Sequence, residues 1–202
     1  MKVCYLVGAG DFYGQITKND GDIIIAADGG YDSLLLHGYT PDLLIGDFDS
    51  LKSTIPEEIR IIKHPKEKDE TDMFLAYDEG VKRGYTEFVM LGATGGRLDH
   101  TYANLSLLLY AKERGNNITV MDKSGIILCL KNEYITLSGN TGSTFSVFAT
   151  GGEAHGVSIT NAKYEVENVS LSPSFPLGVS NEFVDADAHI SVKDGALLVI
   201  AE

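Results

Sequence analysis

Six short apolar runs lie in the first 122 residues and alternate with stretches of helical spacing. The runs are Lys2–Val7, Asp22–Ala27, Asp42–Ile45, Arg60–Lys63, Glu87–Leu91 and Ile118–Met121. Between the later ones, Met73, Phe74, Tyr77 and Val81 follow helical spacing after Thr71, whose hydroxyl suits a first-turn cap. Leu98, Tyr102, Leu105 and Leu109 repeat at helical intervals, and Gly115 is placed to stop that helix. Strand–helix alternation of this kind demands a parallel sheet with helices on both faces, a Rossmann-like layer.

From about Ser124 the helical period is gone. Gly125–Leu130, Thr144–Ala149, Val157–Thr160 and Ala196–Ile200 are short apolar runs separated by Gly, Asn, Ser and Pro. Such spacing predicts a smaller all-β sandwich. The expected division is therefore an α/β domain over residues 1–123 and an all-β domain over 124–202.

Acidic residues outnumber Lys plus Arg by 29 to 16, a formal charge of −13, which argues against a nucleic-acid surface. An anionic substrate would need a metal or a few placed cations. Cys4 and Cys129 sit in separate apolar runs and read as buried free thiols. No stretch is long enough to span a bilayer, and the opening run is too short for a signal peptide, so a cytoplasmic protein is expected.

The acids fall in a pattern. Asp28 follows the second run and leads into Gly29-Gly30; Asp47 and Asp49 follow the third in Gly46-Asp47-Phe48-Asp49-Ser50. Asp72 and Asp99 open the two helices. In an open parallel sheet these positions share the edge at the carboxyl ends of the strands, where ligands bind. Two carboxylates two residues apart repel unless a proton or a hard cation relieves them. The structural alternative is a polar loop with Asp49 or Ser50 capping the next helix. For Asp72 and Asp99, the helix dipole alone is a sufficient reason for an acid.

The loop from Gly92 through Gly95-Gly96-Arg97 to Asp99-His100 is the second informative stretch. Glycines at the mouth of a helix free backbone N–H groups for an anion, and Arg97 offers a planar fork for phosphate oxygens. The alternative is a plain turn with Arg97 paired to Asp99; His100 is either a proton carrier or a solvated residue. Gly8-Ala9-Gly10 with Gly14 loosely imitates a dinucleotide fingerprint, but the last glycine is one residue late.

Taken together, Ala27-Asp28-Gly29-Gly30, Gly46 through Ser50, Lys68-Asp69-Glu70-Thr71-Asp72 and Gly92 through Arg97-Leu98-Asp99-His100 to Asn104 resemble the thiamine pyrophosphokinase family. Gly178-Val179-Ser180-Asn181-Glu182-Phe183 is similar to that family's serine–asparagine segment. The resemblance implies transfer of the ATP diphosphate to the hydroxyl of thiamine, releasing AMP. It implies an N-terminal domain that handles ATP, and a C-terminal domain for thiamine binding and dimerisation. It also implies a homodimer with thiamine bound where subunits meet. Asp47, Asp49 and Asp72 are then expected to hold Mg²⁺, with Arg97 and Asp99 in the catalytic set. Asp28, Gly29, Lys68, Asp69, Thr71, Gly92, Gly95 and Gly96, with Arg97, would handle the nucleotide. Ser180 and Asn181 would hold thiamine, with Tyr164 standing where many relatives carry a tryptophan. A pyrophosphokinase for another heterocyclic alcohol, such as a pterin, and a non-catalytic nucleotide-binding module are the alternative readings; a dinucleotide oxidoreductase fits least.

Overall fold

The strands of the first half pair side by side and in parallel. The computed structural model describes residues 2–49 and 51–202; Ser50, one of the expected caps, lies outside them. Strands β1 (Val3–Val7), β2 (Ile23–Ala27), β3 (Leu43–Gly46), β4 (Arg60–Lys63), β5 (Glu87–Leu91) and β6 (Asn117–Asp122) take the order β4-β3-β2-β1-β5-β6. Every neighbouring pair among these six is parallel. The helices are α1 (Gly30–Leu36), α2 (Asp72–Lys82) and α3 (Leu98–Lys112). By its contacts the chain divides into one unit of Met1–Leu107 with Gly115–Lys123 and another of Leu108–Arg114 with Ser124–Glu202.

Alternate residues of the first sheet face different partners, as a pleated strand requires. Tyr5, Val7, Ile24 and Leu44 pack in one cluster with Tyr31 and Leu34 of α1. On the other side, Gly80 of α2 lies against the Phe88 ring and the Cys4 sulfur, and the Tyr77 and Phe88 rings sit 5.0 Å apart. Thr71 caps α2, its hydroxyl accepting from the Phe74 N–H at 3.2 Å. α1 escapes sequence detection because it has seven residues and begins on a Gly-Gly pair. Among the described residues no helix starts between β3 and β4, so Asp49 does not cap one.

The helix expected from Leu98, Tyr102, Leu105 and Leu109 forms, but those residues do not share a buried face. Leu98 and Tyr102 are 82% and 73% exposed, while Asn104, Leu107, Leu108 and Ala111 are buried. Apolar and polar residues are interspersed around this helix, so its period does not choose a face. In α2 the buried residues are Met73, Ala76, Tyr77 and Gly80, and Val81 turns outward.

The second unit is antiparallel and sandwich-like. β7 (Gly125–Lys131) pairs with β13 (Asp194–Ala201), and β13 pairs with the first half of β9 (Thr144–Thr160). The far end of β9 pairs with β12 (Ala188–Ser191), which pairs with β8 (Tyr134–Leu137). β10 (Val166–Leu171) and β11 (Asn181–Glu182) also lie on β9. Two runs read separately in the sequence are thus one strand of 17 residues, which turns through Gly151 and Gly156 at φ of 72° and 66°. Phe145, Val147, Val157, Ile159, Phe183 and Leu197 are among the residues filling the core of this unit.

Among the described residues no helix is long and apolar enough to cross a membrane. Both cysteines are buried and unbridged, and burial pushes the Cys129 thiol up to about 11.

Candidate active site

Going from β1 the chain steps outward through β2, β3 and β4, whereas β5 pairs on the opposite side of β1. The loops leaving β1 and β5 therefore part, and that divergence opens a crevice at the carboxyl ends of the strands. The two loops first run together: Gly8 N–H donates to Leu91 O, Gly10 N–H to Gly92 O and Asp11 N–H to Thr94 O, each at 2.9 Å. A β-carbon at position 10 would lie 2.1 Å from Thr94 O, so only glycine permits this approach. No helix begins after Gly10, and the dinucleotide imitation ends there, since a pyrophosphate site needs the helix N-terminus.

A cavity of about 330 Å³ occupies the crevice. Its wall includes Gly8–Gly10, Asp28, Asp72, Gly92, Gly95–Arg97 and His100. Asn104, a buried polar residue on α3, also lines it and donates from Nδ2 to Ala93 O at 2.7 Å. The Thr94 hydroxyl donates to Asp122 Oδ2 at 2.5 Å. These two bonds fix the glycine loop from α3 and from the end of β6.

Asp28 and Phe48 both hold left-handed backbone, at φ of 43° and 66°. For an aromatic residue this is an outlier, costing on the order of 1–3 kcal/mol, and such strain gathers at functional sites. The Phe48 ring packs against the core of the first unit, anchoring the turn while Asp47 and Asp49 stay toward solvent. Asp47 Oδ1 accepts from the Asp49 N–H at 3.1 Å.

Each of the other three acids meets a cation. Asp49 pairs with Lys66; Asp72 pairs with Lys68, Nζ to Oδ1 2.7 Å. Arg97 holds Asp99 with two bonds, Nη2 to Oδ2 at 2.6 Å and Nε to Oδ1 at 3.1 Å. Lys66 keeps the Asp49 carboxyl below its usual range, and Arg97 holds Asp99 at about 2. His100 contributes its N–H to Asp99 Oδ1.

Of the expected nucleotide residues, Asp28, Gly92, Gly95, Gly96 and Arg97 line the cavity, as does Asp72. Lys68 reaches that wall through Asp72, Gly29 lies beside Ala9, and Thr71 is occupied as the α2 cap. Asp69 is exposed, and Asp47, Asp49 and Asp99 stand outside the wall. Among the described residues no three His, Cys, Asp or Glu side chains converge to hold a metal ion.

In the second unit, Tyr164 and Asn181 are locked together. The Asn181 side chain accepts from the Tyr164 N–H at 3.0 Å and donates to Tyr164 O at 2.8 Å. It also accepts from the Glu182 N–H, so this 6% exposed amide is consumed by backbone. Ser180 is left-handed at φ 57°, and its N–H donates to the Ser146 hydroxyl. Tyr164 is 58% exposed, with Lys163 Nζ 5.5 Å from its ring centroid.

Two family descriptions match the chain. "Thiamin pyrophosphokinase, catalytic domain" matches residues 15–120, and "Thiamin pyrophosphokinase, vitamin B1 binding domain" matches 131–197. The thiamine pyrophosphokinase of Bacillus subtilis (strain 168) is 30% identical over 184 residues, covering 87% of this chain and 85% of the relative. The chain belongs to the thiamine pyrophosphokinase family. A thiamin pyrophosphokinase structure from Geobacillus thermodenitrificans superposes with a TM-score of 0.83 at 26% identity, over 99% of this chain and 97% of that one. The Bacillus subtilis structure gives 0.86 at 24% identity over 100% and 99%, a likeness of fold.

Within the family match, the stretch 15–120 takes in every cavity residue from Ala27 to Asn104, and 131–197 takes in Tyr164, Ser180 and Asn181. Sequence reasoning missed the holding roles of Asn104, Asp122 and Phe48. The one available signal was Asn104 itself, a polar side chain amid leucines on a helix, which must find a partner if buried.

Proposed function

We propose that this chain is a thiamine pyrophosphokinase: it moves the diphosphate of ATP to the hydroxyl of thiamine, giving thiamine diphosphate and AMP. The observation that carries the reading is the cavity between the loops after β1 and β5, whose wall joins five glycines and Arg97 to Asp72. That combination suits a metal-bound polyphosphate and little else.

The hydroxyl oxygen of thiamine attacks the β-phosphorus in line. A new O–P bond forms as the bond from the β-phosphorus to the oxygen bridging the α-phosphorus breaks. AMP leaves with that oxygen, and the hydroxyl proton passes to a carboxylate or to water. Asp72 and Asp99 are the candidate carboxylates. Positioning and charge stabilisation carry most of such a transfer. Arg97 and Lys68 grip phosphate oxygens, Asp28, Gly29, Gly92, Gly95 and Gly96 shape the nucleotide's bed, and Asp69 and Thr71 set the start of α2 beside it.

The donor set fits Mg²⁺. Asp49 and Asp72 already attract cations, since each holds a lysine ammonium, and Asp47 stands two residues from Asp49, accepting its N–H. Mg²⁺ takes one or two carboxylates, phosphate oxygens and water rather than a closed protein cage. A site with no preformed trio of ligands is therefore compatible with it. Asp47, Asp49 and Asp72 would hold the ion, which when bound would supply positive charge against that developing on the phosphate oxygens.

On the thiamine side, Tyr164 offers an exposed ring for stacking, Ser180 a polar contact beside it, and Asn181 the bonds that keep Tyr164 in place. The reading extends to the architecture. Residues 1–123 form a Rossmann-like ATP domain whose sheet is covered on both faces by α1 and α2, and residues 124–202 bind thiamine and form a homodimer. Location in the cytoplasm agrees with two unbridged thiols.

Chromatography of the products tests the activity. With thiamine, ATP and Mg²⁺ the purified protein should give AMP and thiamine diphosphate in equal amounts, and no AMP with a pterin alcohol or without an acceptor. AMP formed only with the pterin alcohol would transfer the reaction to another substrate, and nucleotide binding without AMP would make the chain a binding module.

A further inference from the structure

Lys66 has no place in the function described so far, yet it holds a carboxylate assigned to the metal. It and Lys68 lie two residues apart on the segment between β4 and α2, and they pair with Asp49 and Asp72 respectively. Lys66 and Asp49 are largely open to solvent, the lysine side chain 77% exposed. Ion pairs of that kind add little to fold stability. The pair is therefore expendable to the fold, and its consequence is electrostatic and local.

We propose that Lys66 is the resident counter-ion of Asp49, occupying the carboxylate in the metal-free protein and yielding it to a divalent cation. This rests on the metal reading of Asp47, Asp49 and Asp72 given above. Two cations near one carboxylate repel each other, so the ammonium on Asp49 opposes uptake of a bare divalent ion there. Lys68 is placed to make the same exchange at Asp72, but its side chain is only 12% exposed, so Lys66 is the cleaner member to test.

The experiment titrates Mn²⁺ into the nucleotide-free full chain and follows the free-ion signal by electron paramagnetic resonance. Lys66→Met should bind Mn²⁺ about two- to fivefold more tightly than wild type, the range an exposed pair supports. Lys66→Arg should match wild type. Lys63→Met removes the same charge from the neighbouring strand β4, where Lys63 is exposed, and should leave affinity unchanged. A Lys66→Met protein with unchanged or weaker Mn²⁺ binding would overturn the counter-ion role. Equal tightening in Lys63→Met would overturn it too, by reducing the effect to net charge. A wild-type protein that takes up no Mn²⁺, with or without these substitutions, would instead defeat the metal reading beneath it.

Discussion

Asp49 sits on a turn that Phe48 pins to the core at a left-handed φ of 66°. Asp49→Asn keeps the shape and the turn but loses the charge a divalent ion needs. Thiamine diphosphate formation should fall at least about a hundredfold, the scale set by losing one electrostatic contact to the transition state. The melting temperature should stay near wild type, because the carboxylate is exposed and its partner Lys66 is too. AMP release at the wild-type rate would remove Asp49 from the metal set. On the thiamine side, Tyr164→Ala should raise the KM for thiamine several-fold more than that for ATP; equal changes would mean the ring serves packing alone. Asn181 illustrates what side-chain identity conceals. Its residue type reads as a substrate ligand, yet its amide is spent on the backbone of Tyr164 and Glu182. Nothing local in the sequence signals a bond to a residue 17 positions away.

Two helices of the first unit each depend on a local device at their start. The start of α2 depends on the Thr71 cap. Thr71→Ala should cost about 1 kcal/mol in urea unfolding, and Thr71→Ser should restore most of it. α1 begins against the end of β1, where a β-carbon on Gly30 would lie 1.9 Å from Val7 O. Gly30→Ala should therefore destabilise by about 2 kcal/mol or more through forced backbone movement, and a neutral effect would contradict the close approach. The strands were legible because each is a short apolar run with β-branched residues, and all six in the parallel sheet lie within one residue of expectation at either end. Helix faces were less so. Leu98 and Tyr102 keep helical spacing and prove exposed, since a helix with apolar and polar residues mixed around it encodes no direction. The union of two runs into β9 was hidden because its glycines read as breaks, though they act as bends within a strand.

For the whole molecule, the carboxylates set the acid limit. Asp22 is held low first by the Val3 N–H and then by that of Asn19, and Asp32 by Ser53 and the Lys52 N–H. Asp99 is held at about 2. In each case the folded value lies beneath the unfolded one, so the stabilisation is full above about pH 4 and is lost as pH falls through the folded values. Urea midpoints should therefore decline below pH 4, and Asp22→Asn should flatten that decline. Sedimentation of the intact chain should give a dimer, as the proposed thiamine site requires; a monomer at working concentration with full activity would remove the partner from the site. The strongest claim is that clustered acids recruit a divalent ion, and the ion a triphosphate. Its direct test is the yield of thiamine diphosphate from ATP and thiamine as free Mg²⁺ is lowered with a chelator. Product formation should vanish on chelation and return when Mg²⁺ is restored, whereas continued synthesis in excess chelator would contradict the account.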